Sequence, residues 1–168
     1  SASSFDAFDH ATNLTETMAA NGAPPRERAW SGSYDKRGLV IKSLETVRVG
    51  VQTLTTQLNS AAYDTKGRLT DSDSSLRRSD MPDLVSETKV AGQKYDDAGH
   101  VIGGSEVTHL TGRTPLGAID LTITGATANG TFADGKLTSY EQSKTIVGTD
   151  DRGQAVHIQD ATAVTLGD

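Results

Sequence analysis

Cysteine is absent from the 168 residues, which removes disulfide staples and, with them, thiolate catalysis, zinc–thiolate sites and iron–sulfur clusters. Aromatic residues make up only 5% and hydrophobic residues only 35%, which disfavours both a thick central core and an aromatic platform for stacking sugars. No apolar run approaches the length of a membrane-spanning helix and none reads as a signal peptide, so no membrane insertion is expected. Basic runs are missing too. With a formal net charge of −6 the chain has nothing with which to release phosphate counterions, and nucleic acid is not an expected partner. There is no G-x-S-x-G elbow, no P-loop and no dinucleotide fingerprint. Asp and Glu together number 22, yet nothing in the sequence places two of them at the separation glycoside cleavage needs. The expectation is a protein that is not an enzyme and uses no cofactor.

What is present is Thr, the commonest residue, together with 17 Gly and one recurring pentad. Tyr34-Asp35-Lys36-Arg37-Gly38, Tyr63-Asp64-Thr65-Lys66-Gly67 and Tyr95-Asp96-Asp97-Ala98-Gly99 share the order aromatic, Asp, any, any, Gly. Thr149-Asp150-Asp151-Arg152-Gly153 keeps all but the aromatic. Phe132-Ala133-Asp134-Gly135 is one residue short, and Phe8-Asp9-His10-Ala11-Thr12 reads as a worn copy without its Gly. Such a pentad is a turn: Asp bonds backbone amides ahead of it, two residues follow in the right-handed region, and Gly takes the left-handed position that a Cβ makes costly. A type I turn closed by Gly in a bulge joins antiparallel strands, with the aromatic packed at the end of the incoming one. Strand-like runs follow each Gly, as in Leu39-Val40-Ile41, Arg68-Leu69-Thr70 and His100-Val101-Ile102.

On these pentads the sequence resembles the YD repeats of bacterial secreted and cell-surface proteins of the RHS type. The resemblance implies an extracellular, repetitive β structure, and a fragment of an RHS-type shell is one form it could take. Successive motif glycines lie 29, 32, 36 and 18 residues apart, mostly longer than the repeat unit the resemblance implies.

Along the chain, residues 1–30 read as an irregular N-terminal segment and a candidate donor strand, and 31–168 as a repetitive antiparallel β domain. Phe5, Phe8, Leu14 and Met18 could line a helix ending at Asn21-Gly22, but Ala11 to Met18 alternates well enough for a strand, which is preferred. Ala23-Pro24-Pro25 breaks any regular element. From Leu39 to Leu58 Val47, Val49 and Val51 share a face, then the parity changes to Leu54 and Leu58. That switch predicts a bulge, a bend or a strand passing between two sheets, with Gly50 the cheapest place for a nearly unbroken strand to bend. Residues 71–83 read as a polar exposed excursion. Ile119, Leu121 and Ile123 alternate with Asp120, Thr122 and Thr124 in a half-buried strand, and Ala128-Asn129-Gly130 reads as a tight hairpin. The last two strands are Lys136 to Val147 and Gln154 to Leu166, the latter with Val156, Ile158, Val164 and Leu166 on one face.

Candidate chemistry is thin. The four histidines, His10, His100, His109 and His157, show no metal-ligand spacing. Asp71 and Asp73, with Asp64, are a weak calcium pattern without the acidic twelfth ligand of an EF-hand, and read better as a solvated turn, so no metal is expected. Asn13-Leu14-Thr15 and Asn129-Gly130-Thr131 match a glycosylation sequon but read as a strand Asn and a turn Asn. The fold class expected is all-β, elongated, built of hairpin or sandwich-like repeats joined by these turns. The leading functional expectation is a structural subunit of an extracellular bacterial fibre, filament or surface layer. Other copies of itself are the partners, added head to tail by strand addition through the N-terminal segment or the strand of Val156, Ile158, Val164 and Leu166. The alternative is a stalk or binding module of a large adhesin, with 71–83 or 112–116 recognising cell-surface glycans.

Overall fold

The computed structural model of the chain describes residues 2–19 and 24–165. Every regular element among them is a strand: β1 Ala2–Phe5, β2 Ala11–Met18, β3 Arg26–Tyr34, β4 Val40–Val49, β5 Gln52–Tyr63, β6 Leu69–Arg78, β7 Met81–Tyr95, β8 Val101–Arg113, β9 Ala118–Ala133, β10 Lys136–Thr149 and β11 Ala155–Thr165. Thr, Ser, Val and Ile suit a pleated, half-wet surface, and the turn pentads cut the chain into hairpins. All eleven strands lie in one sheet, in sequence order from β1 to β11, and each pairs antiparallel with its neighbours. The hairpins are therefore arranged as a single-layer meander, with no second sheet packed on the first among the described residues.

Because connections alternate ends, the turns β1–β2, β3–β4, β5–β6, β7–β8 and β9–β10 line one margin of the sheet. Registered pairs share a face. One face carries an unbroken row from Leu14 through Trp30, Glu45, Thr56, Leu76, Ser86, Leu110, Leu121 and Gly148 to Val156. Beside it run Ile158, Ile146, Ile123, Thr108, Thr88, Ser74 and Leu58. This is the aliphatic face. The other is polar: a comparable row reads His157, Val147, Thr122, His109, Glu87, Ser75, Gln57, Leu44 and Ser31. Among the described residues no hydrophobic side chain is buried, and the chain exposes 10997 Å². A compact monomer of this mass exposes roughly 7,900 Å².

Several expectations need correction. The N-terminal segment is not irregular where it is described: β1, β2 and the start of β3 belong to the same sheet, and Ala11 to Met18 is the preferred strand. Asn21, Gly22 and Ala23 lie outside the described residues. The long strand from Leu39 does not merely bend at Gly50. The chain reverses there, with Gly50 at φ 60° and Val49 opposite Gln52, so the parity change marks a hairpin. The polar stretch 71–83 is no excursion, since it forms most of β6, a tight reversal and the start of β7. A single-layer sheet has no face that must be apolar, so Asp71-Ser72-Asp73-Ser74-Ser75 serves as strand. Asn129-Gly130 is not a hairpin either; it lies inside β9, with Asn129 at φ 54° where the pairing with β10 shifts register. That local kink is a bulge.

Candidate assembly surface and its turn ladder

The pentads build one turn several times. Asp35 donates its N–H to the Leu39 carbonyl at 2.8 Å and accepts the Gly38 N–H on its own carbonyl at 3.0 Å. Asp64 with Arg68 and Gly67, Asp96 with His100 and Gly99, and Asp150 with Gln154 and Gly153 repeat both bonds. Each Asp also turns one carboxylate oxygen on the amides ahead: Oδ1 of Asp64 accepts from Lys66 at 2.8 Å and Arg68 at 2.9 Å, and Oδ1 of Asp150 from Arg152 at 3.0 Å and Gln154 at 2.8 Å. Gly38, Gly67, Gly99 and Gly153 stand at φ 80°, 81°, 96° and 76°, the left-handed region the pentad requires.

The first copy of this turn sits three residues earlier than the worn motif at Phe8. Asp6 is its cap, accepting from Phe8 at 2.8 Å and His10 at 3.0 Å, and Asp9 takes the glycine position at φ 62°. The unit is thus Phe5-Asp6-Ala7-Phe8-Asp9. Phe132-Ala133-Asp134-Gly135 differs in kind: Ala133 pairs with Lys136, so Asp134 and Gly135, at φ 50° and 74°, are the two central residues of a tight hairpin. That pattern of two positive φ values is a type I′ turn, and Asp134 is not a cap in it. The Asp150 turn lies on the opposite margin, between β10 and β11, where Asp151 accepts a bond from Thr114 at 3.1 Å.

Adjacent turns are tied into a ladder. The Tyr34 hydroxyl donates to the Ala11 carbonyl at 2.7 Å, Tyr63 to Val40 at 2.6 Å and Tyr95 to Leu69 at 2.5 Å, in each case the first strand residue after the preceding turn. Under the aromatic lies the residue that follows the glycine position of that preceding turn. His10 lies 4.7 Å from the Tyr34 ring, the Arg68 guanidinium 4.6 Å above Tyr95, and His100 stacks on Phe132 at 4.2 Å and 15°. Phe132 has no hydroxyl, and the tyrosine series ends there. Arg37 reaches forward to the Asp64 carbonyl at 2.5 Å, Arg68 to that of Asp96 at 2.7 Å, and Lys66 pairs with Asp97 at 3.3 Å. Nothing in the pentad itself signalled these platform residues; the signal was their shared place, one residue past the glycine position.

The electrostatics follow from the caps. The Leu39 amide, then that of Arg37, holds the Asp35 carboxyl below its ordinary range, and the Arg68 amide and guanidinium do the same for Asp64. The His100 side chain leads in lowering Asp96. At Asp6 partial desolvation pushes upward but is outweighed by the His10 and Phe8 bonds. The Tyr63 phenol is raised, by desolvation first and then by the Asp35 charge.

The two outer strands differ. β1 is 4 residues long, whereas β11 has 11, pairs without a register shift along β10, and leaves its other side open. Val156 and Val164 are half-buried there and Ile158 is 50% exposed; all three point to the aliphatic face, and Leu166 lies outside the described residues. The stretch 112–116 ends β8 and enters a tight reversal, with Thr114 donating its N–H to the Gly117 carbonyl at 2.8 Å. The acidic trio of the calcium pattern is dispersed. Asp64 caps its turn, Asp71 takes the Gly92 amide at 3.0 Å, and Asp73 binds Asn59 at 2.9 Å. No group of His, Asp and Glu that could hold a metal ion occurs among the described residues, and no helix there is long and apolar enough to cross a membrane. No protein-family model, no curated protein and no solved structure matches this chain.

Proposed function

We propose that the chain is a structural subunit of an extracellular bacterial fibre, filament or surface layer, of the YD-repeat kind, in which copies join by strand addition. It acts by shape and edge, not by catalysis. The observation that carries this reading is the outer side of β11. An edge strand presents a row of unpaired amides and carbonyls, and proteins that remain single blunt such edges with proline, lysine, bulges or brevity. β11 has no proline, lysine or bulge and carries a single charge, Asp160, opposite Lys144 of β10: it runs Ala-Val-His-Ile-Gln-Asp-Ala-Thr-Ala-Val-Thr over 11 residues without a register shift. The turn ladder suits the same role, since it holds each hairpin to the next along the margin and lets the sheet be extended without a core at every joint. Because the number of strands is odd, β1 and β11 run in the same direction.

The test uses the polar face, so that the aliphatic face is undisturbed. Negative-stain images of the concentrated chain are expected to show extended assemblies, and Ala161→Lys with Ala163→Lys is expected to abolish them while leaving far-UV circular dichroism unchanged. Isolated particles of single-chain or paired size at every concentration, identical for the variant, would sink the reading.

A further inference from the structure

The single sheet leaves both of its faces to solvent. The 10997 Å² this chain exposes exceeds the norm for its mass by roughly 3,000 Å², more than the ~1,600 Å² that a standard protein–protein interface buries in total. The surplus is not evenly spread in chemistry. It includes a face on which Leu76, Leu110, Leu121, Ile123 and Ile146 form adjoining rows, each side chain shielded only by its neighbours. Apolar rows of that extent, interrupted only by uncharged Ser and Thr, mark a contact site.

We propose that the aliphatic face packs against the same face of a second copy, closing a two-layer β-sandwich across a two-fold axis that runs parallel to the strands. Size and charge select this occupant. A second copy offers a sheet of equal breadth, and two inner sheet faces pack about 10 Å apart with interdigitating side chains. The charges on this face are divided. On β3, β4, β2 and β6, Arg26, Arg28 and Arg78 stand against Glu16 and Glu45, an excess of one cation; on β8, β10 and β11, Glu106 and Asp160 stand against Lys144, an excess of one anion. An axis along the strands lays the cationic end of each copy over the anionic end of the other. An axis across them would set like over like. Arg28 is already held by Glu45, at 2.5 Å, and Glu16, at 3.6 Å, so this cluster enters the contact largely neutralised. The contact is isologous and closes on itself, which separates it from growth along β11.

The absence of cysteine allows a clean experiment. Ser86→Cys places one thiol on the aliphatic face, beside Leu76 and Leu110, and Ser75→Cys places one on the polar face of the adjoining strand. In the concentrated protein Ser86→Cys is expected to react with a maleimide at least tenfold more slowly than Ser75→Cys, and the difference should vanish on dilution. Leu76 is 37% exposed in the single sheet, so Leu76→Lys is tolerated by the fold; added to Ala161→Lys with Ala163→Lys, which block growth along β11, it is expected to reduce the sedimentation mass from paired to single chains. Equal reactivity of the two thiols at all concentrations, or a single-chain mass for the protein carrying Ala161→Lys and Ala163→Lys, overturns the proposal. Ala161→Lys with Ala163→Lys leaves this pairing intact, so the failure of one interface is told apart from the failure of the other.

Discussion

At the scale of single residues the glycine position of each turn does two separable things. Gly38 and Gly99 share a left-handed φ, 80° and 96°, but differ in surroundings: a Cβ on Gly38 would meet Nε2 of His10 at 2.7 Å, whereas one on Gly99 meets nothing within 4 Å. Gly99→Ala therefore costs only the left-handed conformation, about 1–2 kcal/mol. Gly38→Ala adds the displacement of His10 from beneath Tyr34, and is expected to unfold at a lower temperature than Gly99→Ala by at least ~2 °C. Equal melting temperatures would mean that the turns do not lean on one another. The pentads at Tyr34, Tyr63, Tyr95 and Asp150 were legible because Asp and Gly each satisfy a stereochemical demand that few other residues meet. Phe5-Asp6 escaped notice because Asp9 fills the glycine position. Asp tolerates positive φ better than most residues do, so the missing Gly hid a turn that forms all the same. Asn129-Gly130 misled for the converse reason: its composition suits a hairpin, but the same positive φ also serves a bulge.

At the scale of elements, the two margins of the sheet are fastened differently. The margin of the pentads is capped by Asp6, Asp35, Asp64 and Asp96, whose carboxyls are all lowered by the bonds they accept. On the other margin the Asp150 turn is capped in the same way, but the reversals at Gly50-Val51 and Thr114 to Gly117 have no carboxylate cap accepting from their amides. A carboxyl whose folded pKa lies below its unfolded value, about 3.9, adds stability that is complete above that value and disappears as pH falls through the folded one. On acidification below about pH 4 the turns of Asp35, Asp64 and Asp96 are expected to loosen before the Thr114 reversal, seen as faster amide exchange at Leu39, Arg68 and His100 than at Gly117, corrected for intrinsic rates. Simultaneous loosening of these turns and the uncapped Thr114 reversal would show that the caps are not what holds the turns. Element boundaries were legible wherever a turn had its own chemistry, as with β10 and β11. They were not where strand identity was sought in an apolar face: β6 has a face of Ser72, Ser74 and Leu76, and only its pairing with β5 and β7 makes it a strand.

At the scale of the molecule the governing quantity is the surface left uncovered. Unfolding a chain of 17.7 kDa exposes roughly 25,700 Å² in total, so the single sheet buries only about 57% of its surface, less than the ~60% typical of a 60-residue domain. Denaturant sensitivity scales with the area exposed on unfolding, and for the lone sheet that area is about a sixth smaller than for a compact chain of equal length. If two sheets pair through their aliphatic faces, the missing burial is recovered and stability becomes a property of concentration: each tenfold increase adds about 1.4 kcal/mol per mole of dimer. With the β11 edge blocked by Ala161→Lys and Ala163→Lys, the urea midpoint is therefore expected to rise with protein concentration, while that of the same chain carrying Leu76→Lys as well stays fixed and its m-value is the smaller one. The aliphatic side chains of Leu110, Leu121 and Ile123 then act as core only in the pair, which is why no chain alone could place them inside. A midpoint independent of concentration, with an m-value equal to that of Leu76→Lys, would mean instead that backbone pairing and the turn ladder suffice to hold a sheet wet on both sides.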